Sequence, residues 1–260
     1  MKPKILVTSL TSCNGCLTSI IELDIFPELL ESVDFIFPLI EDNDNIDNCD
    51  IALIEGSVSQ EEQKEELLEI RRKAKKVIAL GTCAISGGIT SLSDEIDPIP
   101  INDIIEIDGF IPGCPVPTDF LGNTLMALLN GERVKLSLKN LCSECELRPD
   151  NGFKSKIKVD KLIPEKMPFE CFLHENVLCL GPITRAGCKA KCIKANIPCE
   201  GCMGPIVPDF MSNIVNFFSS IEVSEDIITS GIYSKFTRPK SFVKRGEQNE
   251  KNDNKTINQN

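Results

Sequence analysis

The cysteines are the residues of this chain whose number and spacing point most directly to chemistry. The chain has 260 residues and 13 cysteines, of which twelve fall into three groups of four. Thiolates are soft, charged ligands that bind iron strongly, and four of them hold one 4Fe-4S cluster. The first interpretation is therefore an electron-transfer protein with three iron–sulfur clusters. Zinc held by four thiolates is the alternative at any one group.

The elements that must position these cysteines are predicted from the apolar pattern of the first half of the chain. Short apolar runs alternate with amphipathic stretches of helical period, which indicates an α/β fold with a parallel sheet and helices on both faces. Ser59, with Glu62 three residues later, is expected to cap the second helix, and Gly131 to end the third. Strands are expected at 4–8, 33–37, 50–54, 76–80 and 108–111, and helices at 17–31, 60–76 and 118–129.

The first group of cysteines is scattered in sequence, and the predicted strands unite it. Cys13, Cys16, Cys83 and Cys114 each follow the C-terminal end of a predicted strand. In open α/β sheets this edge is where ligands bind, so the fold itself is expected to gather these four thiolates. Cys49 precedes the third strand, at the opposite edge, and is interpreted as a structural or incidental thiol.

The second half of the chain is rich in cysteine and poor in periodicity. Between about residues 139 and 202 there are eight cysteines, including two Cys-x-x-Cys pairs. A segment without a large apolar core needs cross-links to fold stably, and bound clusters can provide them. Spacing alone does not pair these cysteines into sites, and two structural zinc sites are the alternative. One more helix is expected at 208–221. The eight are Cys142, Cys145, Cys171, Cys179, Cys188, Cys192, Cys199 and Cys202.

Composition excludes several classes of function. A net charge of −11 disfavours a nucleic-acid partner, and the single histidine, His174, argues against a multi-histidine metal site. No stretch approaches the length of a membrane helix, and the N-terminal apolar run is too short for a signal peptide. We therefore expect a cytoplasmic protein without direct membrane insertion, in a compartment where structural disulfides are rare.

Four short motifs of the first half resemble the small subunit of nickel–iron hydrogenases. They are the runs 11–16 (Thr-Ser-Cys-Asn-Gly-Cys), 54–57 (Ile-Glu-Gly-Ser), 81–84 (Gly-Thr-Cys-Ala) and 112–115 (Pro-Gly-Cys-Pro). The run 179–188 (Cys-Leu-Gly-Pro-Ile-Thr-Arg-Ala-Gly-Cys) is similar to the cytosolic branch of that family. That branch includes gamma subunits of deazaflavin-reducing and viologen-reducing hydrogenases and the delta subunit of archaeal sulfhydrogenases. The first half also resembles the 20 kDa subunit of respiratory complex I.

The resemblance implies a domain organisation and three sets of ligands. Residues 1–135 would form a flavodoxin-like domain that holds the proximal cluster. Residues 136–235 would form a small irregular domain with two clusters. Apart from the resemblance, the polar composition of 236–260, rich in asparagine and lysine, predicts a disordered tail. Cys192 stands where many exported relatives have proline and a 3Fe-4S cluster, which implies a medial 4Fe-4S cluster. The implied sets are proximal Cys13, Cys16, Cys83 and Cys114; medial Cys188, Cys192, Cys199 and Cys202; and distal Cys142, Cys145, Cys171 and Cys179.

The resemblance also implies a function and partners. The chain would relay electrons between a large subunit, which holds the nickel–iron site, and a further reductase or diaphorase subunit. It has no candidate for a nickel–iron site of its own, because its cysteines are already assigned. An electron-transfer subunit of a complex-I-like oxidoreductase is the second candidate function, and a zinc-stapled interaction protein is the third.

Three other residues carry weaker expectations. Glu55 follows the third strand at the edge of the first cysteine group, and the resemblance places it near the proximal cluster; a solvent-exposed turn carboxylate is the alternative. His174 lies among the distal cysteines and is interpreted as a surface histidine. Arg185 either balances the negative charge of the clusters or caps a turn.

Overall fold

A five-stranded parallel sheet organises the first half of the molecule. The structure is a computed structural model that describes residues 2–37, 48–93, 95–166, 170–206 and 210–237. In sheet order the strands are β2, β1, β3, β4 and β5, which is the flavodoxin-like order with its switch between β1 and β3. The expected flavodoxin-like fold is confirmed. The strands are β1 (Lys4–Ser9), β2 (Asp34–Ile36), β3 (Cys49–Glu55), β4 (Ala74–Leu80) and β5 (Gly109–Ile111).

The central strands are apolar throughout because helices cover both faces of the sheet. Alternate residues of a strand point to opposite faces. In β3, Leu53 belongs to the core on one face, where Ile20 and Leu125 also pack. Its neighbour Ile54 belongs to the core on the other face, where Leu67 also packs. The helices of this half are α1 (Gly15–Ile21), α2 (Phe26–Ser32), α3 (Glu61–Lys73), α4 (Gly81–Ser86) and α5 (Thr118–Leu129).

The single helix expected at 17–31 is wrong, because the structure has the two helices α1 and α2 there. Pro27 stands in the first turn of α2, not near the end of a longer helix. A proline within a helix removes one N–H donor and clashes with the carbonyl four residues earlier, whereas the first turn tolerates it. The chain therefore breaks before Pro27, and α2 begins there.

The capping expected of Ser59 is also wrong. The residue before α3 is Gln60, which makes no capping hydrogen bond through its side chain. Instead, the Gln63 side-chain oxygen accepts the Ser59 backbone N–H at 2.9 Å, while the Ser59 hydroxyl lies 2.5 Å from the Thr11 hydroxyl. Gly131 does follow α5 in the left-handed conformation, with φ of 81°, as expected.

The second half consists mainly of loops packed around a separate apolar core. That core includes Val159, Phe172, Leu180 and Ile214, together with several of the cysteines. The helix expected at 208–221 is observed as Phe210–Ser219. The tail predicted to be disordered from residue 236 is ordered at Phe236, which is buried and whose carbonyl oxygen accepts the Ser86 hydroxyl at 2.7 Å, and its residues 238–260 lie outside the described residues. No helix of the described ranges is long and apolar enough to cross a membrane. The regular elements are β6 (Lys158–Val159), which pairs in parallel with β7 (Glu222–Val223), and the helices α6 (Lys191–Lys194), α7 (Phe210–Ser219) and α8 (Glu225–Ser230).

Candidate metal centres

The first group of four cysteines meets at the carboxyl edge of the sheet. Cys13 follows β1, Cys16 lies in α1, Cys83 lies in α4 directly after β4, and Cys114 follows β5. The thiol of Cys16 interacts electrostatically with those of Cys83 and Cys114, and the thiol of Cys83 with that of Cys13. The strand pattern thus predicts a grouping that the structure contains. We call these four residues the proximal group.

Glycines and backbone amides shape the surroundings of the proximal group. Gly81 has φ of +80°, and a Cβ atom there would collide with the Sγ atom of Cys16. The thiol of Cys16 accepts a hydrogen bond from the Val116 amide, and that of Cys83 accepts from the amides of Ile89 and Thr90. Amide donors of this kind hold thiolate ligands in place and tune the potential of a bound cluster.

Glu55 anchors the loop that carries Cys13 and Cys16. Its side chain is buried, so the alternative of a solvent-exposed carboxylate is wrong. One carboxylate oxygen accepts the backbone N–H groups of Cys16 at 3.0 Å and Leu17 at 3.2 Å. The other oxygen lies 2.9 Å from the Ser9 hydroxyl and 3.2 Å from the Ser12 hydroxyl. Glu55 therefore ties the start of α1 to the end of β3.

Replacing Glu55 by glutamine is expected to lower the free energy of unfolding by about 1.5–3 kcal/mol, the usual range for hydrogen bonds to a charged group. The amide keeps one oxygen for the backbone N–H groups of Cys16 and Leu17, but it loses the charge, and its NH₂ group makes the Ser9 and Ser12 hydroxyls accept instead of donate. Denaturant unfolding of the anaerobically purified protein measures the effect. Glu62→Gln, an exposed substitution in α3, is the matched control; equal stability of the two variants would contradict the anchoring role.

A second group of thiols lines one cavity in the loop-rich half. Burial raises the pKa of Cys142 to about 12, and the neighbouring thiols of Cys179, Cys171 and Cys145 contribute to the increase. Arg148 and Phe153 line the same cavity on the outer side, and both are exposed. We call Cys142, Cys145, Cys171 and Cys179 the distal group.

A third group of thiols lines a neighbouring cavity. Burial raises the pKa of Cys202 to about 12, and the thiols of Cys188 and Cys192 contribute to the increase. Cys114 of the proximal group lines this cavity too. Spacing alone leaves the pairing of the eight cysteines open; in the structure four of them line this cavity and four line the neighbouring one, and Cys199 also interacts with Cys179 across the two. We call Cys188, Cys192, Cys199 and Cys202 the medial group.

Backbone hydrogen bonds link the three groups in series. The amide of Cys114 donates to the thiol of Cys202, which joins the proximal group to the medial group. The amide of Cys199 donates to Sγ of Cys179 at 3.4 Å, which joins the medial group to the distal group. The medial group thus lies between the other two along this chain of contacts.

The donor chemistry of the three groups fits metal clusters held by thiolates. None of the 13 cysteines forms a disulfide, and burial raises the pKa of Cys114 to about 11 and that of Cys179 to about 12. Without a cation these thiols stay protonated, whereas coordination to a metal deprotonates a thiol outright. Within the described ranges, no three Cys, His, Asp or Glu side chains meet in the arrangement of a single-ion site.

Cys49 lies apart from these groups, at the start of β3, where it is buried. Its charged neighbours are Asp50, Arg71 and Lys4, none of them a cysteine. This position agrees with its exclusion from the first group.

The surface position expected of His174 is wrong, because only 5% of its side chain is exposed. Its Nε2 atom accepts the Lys154 backbone N–H at 3.1 Å, and its ring packs edge-on against Phe153.

Arg185 is also buried, and its guanidinium donates to the carbonyls of Ser137, Pro205 and Ile206. These contacts favour the turn-capping interpretation of Arg185.

Two residues for which the sequence predicts no role, Glu144 and Thr82, tie the groups together. The Glu144 carboxylate, within the distal Cys-x-x-Cys pair, accepts the backbone N–H groups of Gly187 at 3.0 Å and Lys189 at 2.9 Å, on either side of medial Cys188. The Thr82 hydroxyl lies 2.7 Å from the Cys202 carbonyl oxygen. No local pattern signals either contact, because the partners are 43 to 120 residues apart in sequence.

The fold and the three thiol groups together define a class of protein, namely flavodoxin-like subunits of redox complexes with a cysteine-rich extension. Comparison with known proteins agrees. Residues 13–128 match the family described as NADH ubiquinone oxidoreductase, 20 Kd subunit. One subunit of the vhu F420-non-reducing hydrogenase of Methanocaldococcus jannaschii is 32% identical, over 93% of this chain and 97% of the relative. The Sulfhydrogenase 2 subunit delta of Pyrococcus furiosus is 26% identical, over 86% of this chain and 95% of the relative.

A solved structure shares the fold. A chain of the recombinant NiFeSe hydrogenase from Desulfovibrio vulgaris Hildenborough superposes with a TM-score of 0.58, at 19% identity, covering 80% of this chain and 95% of that one. This chain belongs to the small subunits of nickel–iron hydrogenases, in the branch that contains the F420-non-reducing relative from Methanocaldococcus jannaschii. It is therefore a subunit of an oxidoreductase that acts on hydrogen.

Proposed function

We propose that this chain relays electrons between a nickel–iron site in a large subunit and a partner reductase or diaphorase, through three 4Fe-4S clusters. The observation that carries the proposal is the series of three four-thiol groups. Each group is joined to the next by a hydrogen bond from a backbone amide to a thiol. When bound, the clusters supply one-electron transfer without proton transfer at the ligands.

The protein's own residues would hold and order the clusters. In this proposal the proximal, medial and distal groups each supply four thiolates. Glu55 fixes the loop of Cys13 and Cys16, and Glu144 fixes the backbone on both sides of Cys188. Residues 1–135 would act as the proximal domain, and residues 136–235 as the domain of the other two clusters.

The two ends of the series would face different partners. Cys13 is exposed at the proximal end, and we assign this edge of the sheet to the large subunit. Arg148 and Phe153 border the distal group at the other end, and we assign that side to the partner reductase. We place the complex in the cytoplasm, because a reducing compartment keeps free thiols available for metal.

A second candidate function is an electron-transfer subunit of a complex-I-like oxidoreductase. The match of residues 13–128 to the 20 Kd subunit family favours it. That match spans the proximal group only, and the eight cysteines of the medial and distal groups lie beyond it. The relatives that cover nearly the whole chain are hydrogenase subunits, so we rank this candidate second.

Metal analysis of the native complex, purified anaerobically with its partner chains, tests the proposal. We expect about twelve irons per copy of this chain, four for each of three clusters, after the iron of the large subunit is subtracted. We also expect visible charge-transfer absorption, and nickel in a co-purifying chain. Iron without nickel would favour the complex-I-like candidate. Zinc without iron would overturn the relay altogether.

A further inference from the structure

Thr82 makes the side-chain contact that joins the proximal group to the medial group. It is the second residue of α4 and directly precedes Cys83, a proximal cysteine. Its Oγ1 atom lies 2.7 Å from the carbonyl oxygen of Cys202, a medial cysteine 120 residues away. The same hydroxyl lies 2.8 Å from the carbonyl oxygen of Gly113, the neighbour of Cys114. One buried hydroxyl thus connects its own cysteine-bearing segment with two others.

The geometry leaves the hydroxyl little freedom. Thr82 is buried, and its own backbone N–H already donates to the Gly113 carbonyl at 2.9 Å. A threonine hydroxyl has one hydrogen to donate, and here that hydrogen faces two carbonyl oxygens. Removing the hydroxyl would cost the partly buried Cys202 carbonyl its donor, whereas the Gly113 carbonyl would keep the Thr82 backbone N–H. The Cys202 carbonyl is therefore held against the start of α4.

The contact lies beside the amide-to-thiol link between the two groups. The Cys114 amide donates to the Cys202 thiol, while the Thr82 hydroxyl holds the Cys202 carbonyl. The side chain and the backbone of one medial cysteine are thus each tied to the proximal segments. Two contacts on Cys202 fix both its orientation and its distance from the proximal segments, whereas a single contact would leave its orientation free.

We infer that Thr82 is a positioning residue that sets the separation of the proximal and medial sites. The inference rests on the proposed function, because it concerns the interaction between two bound clusters. Thr82 is not a ligand in this scheme, since its hydroxyl is directed at two carbonyl oxygens. Its effect on a cluster passes through Cys202. A threonine with only a structural role would add stability without setting this separation.

The test compares Thr82→Val with Thr82→Ser in the native complex. Valine keeps the shape of threonine and removes the hydroxyl, whereas serine keeps the hydroxyl. The readout is the magnetic interaction between the two neighbouring reduced clusters, seen as splitting in the electron paramagnetic resonance spectrum. Splitting of this origin falls steeply with distance. We expect it to change or disappear in Thr82→Val, with the iron content unchanged, and to stay as in the wild type in Thr82→Ser.

Each of the other outcomes also decides whether Thr82 has this positioning role. Wild-type splitting in Thr82→Val overturns the inference, even if the variant melts at a lower temperature. Loss of the medial cluster from Thr82→Val also overturns it, because the splitting then disappears for lack of a cluster and not through a changed separation. Equal loss of all three clusters counts against it, as does a Thr82→Ser variant that behaves like Thr82→Val. If the wild-type complex itself contains no iron–sulfur clusters, it is the proposed function that fails.

Discussion

Replacing Cys83 by serine is expected to abolish hydrogen-dependent dye reduction while the medial and distal groups keep their clusters. Cys83 lies in the helix that directly follows β4, and its thiol interacts with that of Cys13 within the proximal group. A hydroxyl is a harder and much weaker ligand for iron than a thiolate. In the proposed relay the proximal group receives the electrons from the large subunit, so its loss would interrupt the whole series.

Dye reduction under hydrogen and iron content, measured on the same preparation, check this prediction. Iron assigned to this chain should fall from about twelve to about eight atoms, as one four-iron cluster is lost. Cys49→Ala is the control, because it removes a buried thiol at the opposite end of β3. It should retain all of the iron and the activity. Unchanged activity in Cys83→Ser would remove Cys83 from the relay.

Replacing Gly81 by alanine is expected to have the second largest effect, namely loss of the proximal cluster from a chain that still folds. Gly81 adopts φ of +80°, and its added Cβ would collide with the Sγ atom of Cys16. A ligand atom displaced in this way can no longer complete a four-thiolate site. Iron content and the spectrum of the proximal cluster measure the loss.

Gly131→Ala provides a closely matched control. Gly131 has φ of +81°, but a Cβ atom there would meet nothing within 4 Å. Both variants carry the backbone penalty of a left-handed alanine, roughly 1–2 kcal/mol. Only Gly81→Ala adds a collision with a cysteine. If both variants lose the same amount of iron, backbone strain rather than contact with Cys16 explains the result.

The carboxyl edge of the sheet is the part of the site that can best be predicted from sequence. The apolar runs before Cys13, Cys83 and Cys114 predict strands, and parallel strands end at a common edge. The grouping needs only the ends of the strands, so small errors in their bounds do no harm. For the same reason Cys49 is correctly separated from the group, because it precedes the predicted strand.

Other features depend on contacts that no local pattern encodes. The pairing of the eight later cysteines follows from loops whose course has no periodicity, and spacing alone leaves it open. The ties made by Thr82 and Glu144 connect residues 120 and 43 positions apart. The burial of His174 depends on Phe153, a ring 21 positions earlier in the chain. Pro27 does carry a local signal, but a proline near a helix end marks a beginning as readily as a stop, and here it marks the beginning.

The origin of the thiols differs between the groups, and this difference bears on how the protein is assembled. Those of the proximal group come from three segments between Cys13 and Cys114, which meet only when β1, β4 and β5 have joined the same sheet. Those of the medial and distal groups all lie between Cys142 and Cys202. Closing long loops costs more entropy than closing short ones. In the proposed relay, the proximal site would therefore be complete only after the sheet has formed, whereas the other two sites depend on one later stretch of the chain.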